Sequence, residues 1–171
     1  MIGVDLFVSC GAEVDSYRNT ALDVFRRIEQ MFDRELNVPL AIGNWDFRID
    51  NPRVVQAGGL AARSLDMVQR TNAMIAIFGQ GLPRITCQEI REAFRQRQAG
   101  ASVEVWLFLD RQLRGRPHAD FVSRIRREFH EQIVFGEYTS ELDFQAMLFT
   151  TLIPYLLRRL RQAPVPMSEA S

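Results

Sequence analysis

Residues 73–78 read Ala-Met-Ile-Ala-Ile-Phe (AMIAIF) and form the most continuous apolar run in the chain. The sequence Gly-Gln-Gly-Leu-Pro at residues 79–83 interrupts the run directly afterwards. A short run without alternating polar residues is typical of a strand that is buried on both faces. Such strands occur in parallel sheets that helices cover on both sides, so this stretch predicts an α/β domain.

Shorter apolar runs and helical patterns alternate on either side of this strand. The other predicted strands are Val4–Ser9, Leu40–Trp45, Val103–Leu109 and Ile133–Phe135. The predicted helices are Ser16–Leu36, Leu60–Arg70, Thr86–Ala99, Ala119–Glu131 and Ser140–Arg161. Five alternations of strand and helix favour a parallel sheet with right-handed crossovers. We therefore expect a flavodoxin-like three-layer α/β/α fold with a five-stranded parallel sheet in the strand order 2-1-3-4-5.

The segments between these elements predict the limits of the domain. We expect a single domain over residues 1–162 and a flexible tail or linker over residues 163–171, whose sequence APVPMSEAS is polar and contains proline. Proline and paired glycines predict a long loop over Asp46–Gly59. A basic loop is predicted over Arg111–Pro117, and Gly100 is placed to end a helix as a C-cap.

Composition restricts the kinds of partner. The 171-residue chain has 47% apolar and 25% charged residues and a net charge of zero, which is a globular profile with no basic field for nucleic acid. Cys10 and Cys87 match neither a disulfide framework nor a metal spacing, so we expect a cytoplasmic protein without a metal. We also expect no membrane partner, because Asp5 interrupts the first apolar run and Phe149–Leu157 falls far short of the ~20 residues that cross a bilayer.

In a sheet of this order, ligands bind outside the carboxyl ends of the strands, near the reversal between the first and third strands. The predicted topology brings Ser9, Cys10, Gly11, Asn44, Trp45, Asp46, Phe78, Gly79, Gln80, Thr86, Cys87 and Glu89 to that point. The Gly79–Gly81 stretch has neither the dinucleotide-binding spacing nor the P-loop spacing, so the sequence does not indicate a classical dinucleotide fold or an NTPase.

Glu89 is the most informative of these residues and admits two interpretations. It follows Thr86 by three residues, a spacing that predicts a capping box with Thr86 as the N-cap. The same position directs the carboxylate to the cleft, where it can hydrogen-bond ribose hydroxyls, stabilise an oxocarbenium-like centre or attack C1′. A helix N-terminus favours the ionised carboxylate, which suits a nucleophile better than a general acid.

Three other side chains also admit two interpretations. Trp45 stacks on a base or nicotinamide ring, or it closes the edge of the core. Arg18 contacts a phosphate or lies in solvent. Cys87 is at a helix N-terminus, where thiols become reactive, but neither His118 nor His130 is placed to serve as its base. A small buried hydrophobe is therefore the favoured interpretation of Cys87.

Three blocks of sequence resemble a known family. They are VDLFVS at Val4–Ser9, the pair Trp45-Asp46, and NAMIAIFG at Asn72–Gly79 running into TCQEIREA at Thr86–Ala93. Together they resemble the TIR-like domains at the N-termini of bacterial defence and signalling proteins, which are related in fold to nucleoside 2-deoxyribosyltransferases. The resemblance covers roughly Val4 to Phe94.

The resemblance implies cleavage of the N-glycosidic bond of NAD or of a nucleoside, with NAD as a substrate and no cofactor. The family's key residue is a glutamate early in the helix after the third strand, which Glu89 matches by position, with Glu92 as the alternative one turn later. Ser9 matches a serine at the end of the first strand, and Arg18 matches a basic residue early in the first helix. The predicted substrate-binding residues are Ser9, Cys10, Arg18, Trp45, Asp46, Phe78, Gly79 and Thr86.

The sequence also departs from the family's patterns. The TIR pattern has Trp-Cys before two spacer residues and the glutamate, whereas here Cys87 is followed by one spacer and Ile85-Thr86 replace the tryptophan. The Ser-Gly-Thr of the transferases is reduced to Thr86, and Asn72 stands where an acidic residue usually precedes the third strand. The match therefore supports the fold more directly than the activity.

Two hypotheses of different classes follow. The first is an enzyme, an NAD+ nucleosidase or nucleoside N-glycosidase in antiviral defence signalling, with Glu89 at the ribose. The second is a non-catalytic module that self-associates, senses a nucleotide, or pairs with a fused or partner signalling domain. It is motivated by an apolar stripe on the last helix that packs on the sheet or on a partner. The stripe consists of Phe144, Leu148, Leu152, Leu156 and Leu160.

Overall fold

A parallel sheet is the centre of the structure. A computed structural model of the chain describes residues 2–11, 14–45, 67–79, 84–111, 116–129 and 133–162. The strands within them are β1 (Ile2–Cys10), β2 (Leu40–Trp45), β3 (Ala73–Phe78), β4 (Glu104–Asp110) and β5 (Ile133–Tyr138). The helices are α1 (Asp15–Leu36), α2 (Arg84–Gln98), α3 (Arg116–Phe129) and α4 (Glu141–Gln162), and residues 67–70 are also helical.

The described strands are all parallel and lie in the order β2-β1-β3-β4-β5, which confirms the predicted order. β1 lies between β2 and β3 and pairs Phe7 with Trp45 on one side and Ser9 with Ala76 on the other. The strand order reverses between β1 and β3, so the carboxyl ends of these two strands mark the expected ligand position.

Helices cover both faces of the sheet and form two cores, which confirms the three-layer α/β architecture. On one face α1 and α4 pack against Ile75 and Phe108, and on the other α2 and α3 pack against Phe7 and Met74. Every residue of β3 is buried, as the AMIAIF sequence predicts. Ile75 and Met74 face opposite cores because successive side chains of a strand alternate between its faces.

The apolar stripe of α4 packs against the sheet. Four of its five residues are at most 1% exposed, and the fifth, Leu160, packs at the margin of the same core. The buried four are Phe144, Leu148, Leu152 and Leu156. The stripe therefore has the first of the two roles predicted for it.

Several elements differ from their predicted bounds. β2 and β3 match, whereas β1 is longer at both ends and β5 continues past Phe135 to Tyr138. α3 begins at Arg116, so the end of the predicted basic loop is helical, and proline is favourable in a first helical turn. α2 begins at Arg84, two residues before the predicted start at Thr86 and directly after a proline in the sequence.

Gly100 ends α2 as predicted. Its φ of 95° lies in the left-handed region that favours glycine. Its N–H donates to the Arg97 carbonyl at 3.0 Å, and the Ala101 N–H donates to the Gln96 carbonyl at 2.9 Å, the two bonds of a Schellman motif. No helix in the part of the chain that the structure describes is long and apolar enough to cross a membrane.

Five predicted segments fall wholly or partly outside the described residues. They are the loop Asp46–Gly59, the beginning of the helix Leu60–Arg70, most of the basic loop Arg111–Pro117, the end of the helix Ala119–Glu131, and the tail over residues 163–171.

Candidate active site at the carboxyl ends of the strands

A small polar cluster joins β1 to α2 at the carboxyl edge of the sheet. Ser9, the second-last residue of β1, is directed to the α2 side of the sheet like Phe7, two residues before it. Thr86 and Glu89 are three residues apart on α2, a spacing that places both on one face of the helix. Strand alternation and helix periodicity together bring the three polar side chains into contact.

The Ser9 hydroxyl is the centre of this cluster. Ser9 Oγ lies 3.0 Å from Thr86 Oγ1 and is hydrogen-bonded to Glu89 Oε2. The exposed fractions of Ser9, Thr86 and Glu89 are 3%, 2% and 4%. Because burying a carboxylate is costly without hydrogen bonds, the serine hydroxyl stabilises Glu89 in this position.

The capping-box interpretation of Thr86 and Glu89 is wrong in its geometry. α2 begins at Arg84, so Thr86 is a helical residue and not the N-cap. The Thr86 hydroxyl lies against Ser9 of β1, and the Glu89 carboxylate is bonded to the same serine. Glu89 stands in the second turn of α2, where the helix dipole favours a negative charge less than it does in the first turn.

The other predicted substrate-binding residues have different surroundings. Cys10 is half-buried and packs against the core on the α1 and α4 face. Arg18 is half-buried in the first turn of α1. Phe78 is fully buried, with its ring 5.5 Å from that of Phe121, so it is a core side chain. Gly79 is buried directly after it.

Trp45 is the last residue of β2 and pairs with Phe7 of β1, so its backbone reaches the same edge of the sheet as Ser9. The Trp45 side chain and the whole of Asp46 lie outside the described part of the structure. Their predicted contacts with a substrate stay predictions.

Cys87 is a buried side chain of the α2 core. It is 9% exposed and packs among the apolar residues on that face of the sheet. Burial raises the pKa of its thiol, an effect that the nearby charges of Arg91 and Arg124 oppose. A raised pKa disfavours the thiolate, which supports the interpretation of Cys87 as a small hydrophobe.

Glu92, the alternative to Glu89, is held by residues near it. Its carboxylate accepts hydrogen bonds from Arg95 Nε at 2.8 Å and Arg95 Nη2 at 2.6 Å, and from the side-chain amides of Gln96 at 3.0 Å and Gln69 at 3.4 Å. The hydrogen bond from Arg95 is the main cause that lowers the pKa of Glu92 to about 2. A carboxylate occupied in this way is a poorer candidate for chemistry at a sugar than Glu89.

Asn72, which replaces the acidic residue of the family pattern, has a structural role. Its Oδ1 accepts a hydrogen bond from the Asp5 N–H at 2.9 Å, and its own N–H donates to the Asp5 carbonyl at 2.8 Å. The Thr71 hydroxyl donates to the same carbonyl at 2.8 Å. These bonds join β1 to the start of β3, at the end of the sheet away from Glu89.

Tyr138 is a residue of the carboxyl edge that the sequence did not predict. It is fully buried, and its hydroxyl donates to the carbonyl of Phe78, the last residue of β3, at 3.0 Å. The sequence signal for a strand at Tyr138 is weak because Gly136-Glu137 interrupts the apolar pattern. The predicted fifth strand therefore ended before Tyr138. Among the described residues no group of three or more His, Cys, Asp or Glu side chains is arranged to hold a metal ion.

Comparisons with known proteins add little to this geometry. No protein-family model matches the chain, and no curated protein matches it. A homoserine dehydrogenase from S. aureus is similar in structure, with a TM-score of 0.48 and 12% sequence identity over 82% of this chain and 33% of that protein. The chain thus spans about a third of the length of that dehydrogenase.

Proposed function

We propose that the chain is a TIR-like domain that hydrolyses the N-glycosidic bond of NAD or of a nucleoside and acts in bacterial defence signalling. The observation that carries the proposal is the buried Glu89 carboxylate, bonded to Ser9 beside the reversal of strand order between β1 and β3. The resemblance of Val4–Phe94 to the TIR-like family supplies the substrate class and the setting in defence.

Glu89 has the chemistry that this reaction requires. When the bond from C1′ to the base nitrogen breaks, the electron pair leaves with the nitrogen and positive charge develops at C1′. An ionised Glu89 stabilises that charge or forms an ester with C1′. Water then adds its oxygen to C1′ and releases a proton, and where an ester has formed, its C1′–oxygen bond breaks and returns the free Glu89 carboxylate. In NAD the departing nicotinamide takes the electron pair as a neutral ring, whereas a nucleoside base also needs a proton.

The test compares wild type with Glu89→Gln, which keeps the size of the side chain and an acceptor for the Ser9 hydroxyl. Each protein is incubated with NAD and with a panel of nucleosides, and the released base is measured by chromatography. We expect Glu89→Gln to lower turnover at least about 100-fold, the usual scale for a group that acts on the transition state. A wild type that turns over none of these compounds, or an equally active variant, would overturn the proposal.

Two matched variants make this test specific. Glu104→Gln removes a carboxylate at the opposite end of the sheet, where Glu104 pairs with Arg158 at 3.1 Å, and should keep full turnover. Glu92→Gln removes the competing carboxylate on α2 and should also remain active. Loss of turnover in Glu92→Gln alone would assign the chemistry to Glu92.

The same variants separate turnover from nucleotide sensing. A ligand that binds the folded protein raises its melting temperature by mass action, whether or not it is consumed. Thermal shift with NAD and nucleosides on Glu89→Gln therefore reports binding alone. Stabilisation without turnover in the wild type would favour the sensing module over the enzyme.

A further inference from the structure

The contacts of Ser9 and Thr86 give these residues a role other than the predicted one of binding substrate. Ser9 Oγ lies within hydrogen-bond distance of both Thr86 Oγ1 and Glu89 Oε2, so one hydroxyl connects the other two groups. All three are at least 96% buried, because their exposed fractions are 2% to 4%. Water therefore has little access to replace any member of the chain.

The number of available protons determines which group donates in each hydrogen bond among Thr86, Ser9 and Glu89. An ionised carboxylate only accepts hydrogen bonds, whereas each hydroxyl has one proton to donate. If Glu89 is ionised, the Ser9 proton goes to Glu89 and the Thr86 proton goes to Ser9 Oγ, so two protons fill two hydrogen bonds. A protonated Glu89 would reverse both bonds and require another acceptor for Thr86. The contacts fit the ionised carboxylate more simply, and hydrogen bonds to a charged acceptor are the stronger kind.

We propose that Thr86 is a positioning residue for Glu89, an inference that rests on the function proposed above. Thr86 donates to Ser9, Ser9 donates to the Glu89 carboxylate, and this chain holds the carboxylate in one orientation for C1′. Thr86 and Ser9 thus act on the reaction through Glu89 and do not need to touch the sugar.

β1 and α2 carry the three hydrogen-bonded side chains, and both elements hold them rigidly. β1 pairs with β2 as far as Phe7 and with β3 at Ser9 itself, opposite Ala76, so the backbone of Ser9 is fixed by the sheet. Thr86 and Glu89 belong to one helix and keep a constant separation along it. Since a misplaced catalytic group loses much of its effect, a fixed hydroxyl that restricts the rotamers of Glu89 contributes to catalysis without contacting the substrate.

The test uses two substitutions at Thr86. Thr86→Val keeps the shape of the side chain and removes the hydroxyl, whereas Thr86→Ser keeps the hydroxyl and removes the methyl group. The first measurement is the infrared band of the Glu89 carboxylate, isolated as the difference between each protein and its Glu89→Gln counterpart. The second is kcat and KM on whichever substrate the wild type turns over. Circular dichroism checks that each variant is folded, and Ser9→Ala tests the same link from β1 if Thr86→Val does not fold.

We expect Thr86→Val to shift the carboxylate band and to lower kcat roughly fivefold to tenfold, the effect of one hydrogen bond, with little change in KM. Thr86→Ser should restore both the band and kcat, a rescue that a purely structural methyl contact would not give. An unmoved band, a normal kcat in Thr86→Val, or a failure of Thr86→Ser to restore activity would each overturn the inference.

An inactive wild-type protein would give a result different from all of these outcomes of the Thr86 variants. It would overturn the proposed function, and the positioning role would fall with it. The infrared band would then show only whether the hydroxyl chain exists. Failure of the inference alone is seen when the wild type is active but Thr86→Val leaves the band or kcat unchanged, or Thr86→Ser does not restore activity.

Discussion

At the scale of single residues, the two glutamates one turn apart on α2 differ in the hydrogen-bond partners that hold their carboxylates. Glu92 is bonded to both Nε and Nη2 of Arg95, and such charge-assisted pairs are strong. Glu89 is bonded to the neutral Ser9 hydroxyl, a bond that can stay in place while the carboxylate meets a sugar, because a carboxylate has several acceptor sites. The hydrogen-bond partners therefore favour Glu89 as the group that meets a sugar.

Cys87 provides a residue-scale test of burial. Burial raises the pKa of its thiol, so the thiol keeps its proton at neutral pH and the thiolate fraction grows only as the pH rises further. We expect Cys87 in a Cys10→Ser variant to react with iodoacetamide at neutral pH at least about tenfold more slowly than a cysteine in a short peptide. Mass spectrometry of the intact protein measures the rate.

The same variant in denaturant is the control for this measurement, since unfolding removes the burial and should restore the rate of the peptide. Cys87→Ser reports the half-buried Cys10 in the same way and shows how much partial exposure alone permits. Rapid labelling of Cys87 in the native protein at neutral pH would contradict the prediction and reopen its candidacy as a nucleophile.

The partner of Glu89 could not be predicted from the sequence, although its position could. Ser9 and Glu89 are separated by 80 residues, and their contact depends both on the pairing of β1 with β3 and on the rotation of α2 about its axis. A Thr-x-x-Glu spacing satisfies the local capping rule equally well whether the helix begins at Thr86 or two residues earlier. Only the tertiary structure distinguishes the two.

At the scale of elements, β5 shows that a local sequence pattern can end before the strand itself does. β3 is a continuous apolar run and was predicted with its observed bounds, whereas Gly136 interrupts the pattern of β5. The structure gives the reason for that glycine. A Cβ at Gly136 would lie 2.7 Å from Phe108 Cδ1 and 3.0 Å from Met147 Sδ. The glycine thus permits close contact among β5, β4 and α4.

Gly136→Ala should therefore destabilise the fold. The ring of Phe108 is 1% exposed and has no room to move away from an added methyl group. We expect a loss of about 1–3 kcal/mol in the free energy of unfolding, the usual effect of overpacking a core. Urea denaturation followed by circular dichroism measures it.

Gly3→Ala is the matched control for that substitution. A Cβ at Gly3 in β1 would meet nothing within 4 Å, so the same added methyl group has no steric cost there. A Gly136→Ala variant as stable as Gly3→Ala would show that β5 does not need the glycine for packing.

At the scale of the whole molecule, the order of the elements was predictable because each carries its own periodicity. β3 has apolar residues on both faces, and α1 and α4 have apolar stripes at helical spacing, so the two covered faces follow from local patterns. The two cores were not separable from sequence alone, because the assignment of each helix to a face depends on the crossovers.

The sheet divides the interior into two cores, and this separation predicts how core substitutions combine. Leu148 of α4 and Ile90 of α2 are both 0% exposed and belong to opposite faces. We expect Leu148→Ala to cost about 2–5 kcal/mol and Ile90→Val about 0.5–1.5 kcal/mol of unfolding free energy. The double variant should equal their sum to within about 0.5 kcal/mol, because the sheet lies between the two sites.

Ile75→Val provides the matched comparison, since Ile75 is equally buried but shares the core of Leu148. Combined with Leu148→Ala it should deviate from additivity more than Ile90→Val does, because neighbours in one core relax around the same cavity. Urea unfolding followed by both circular dichroism and tryptophan fluorescence measures all the variants, and coincident transitions would show that the two cores unfold together. A strong coupling between Leu148 and Ile90 would show that the sheet does not isolate the two sites, and two separate transitions would show that the two cores unfold independently.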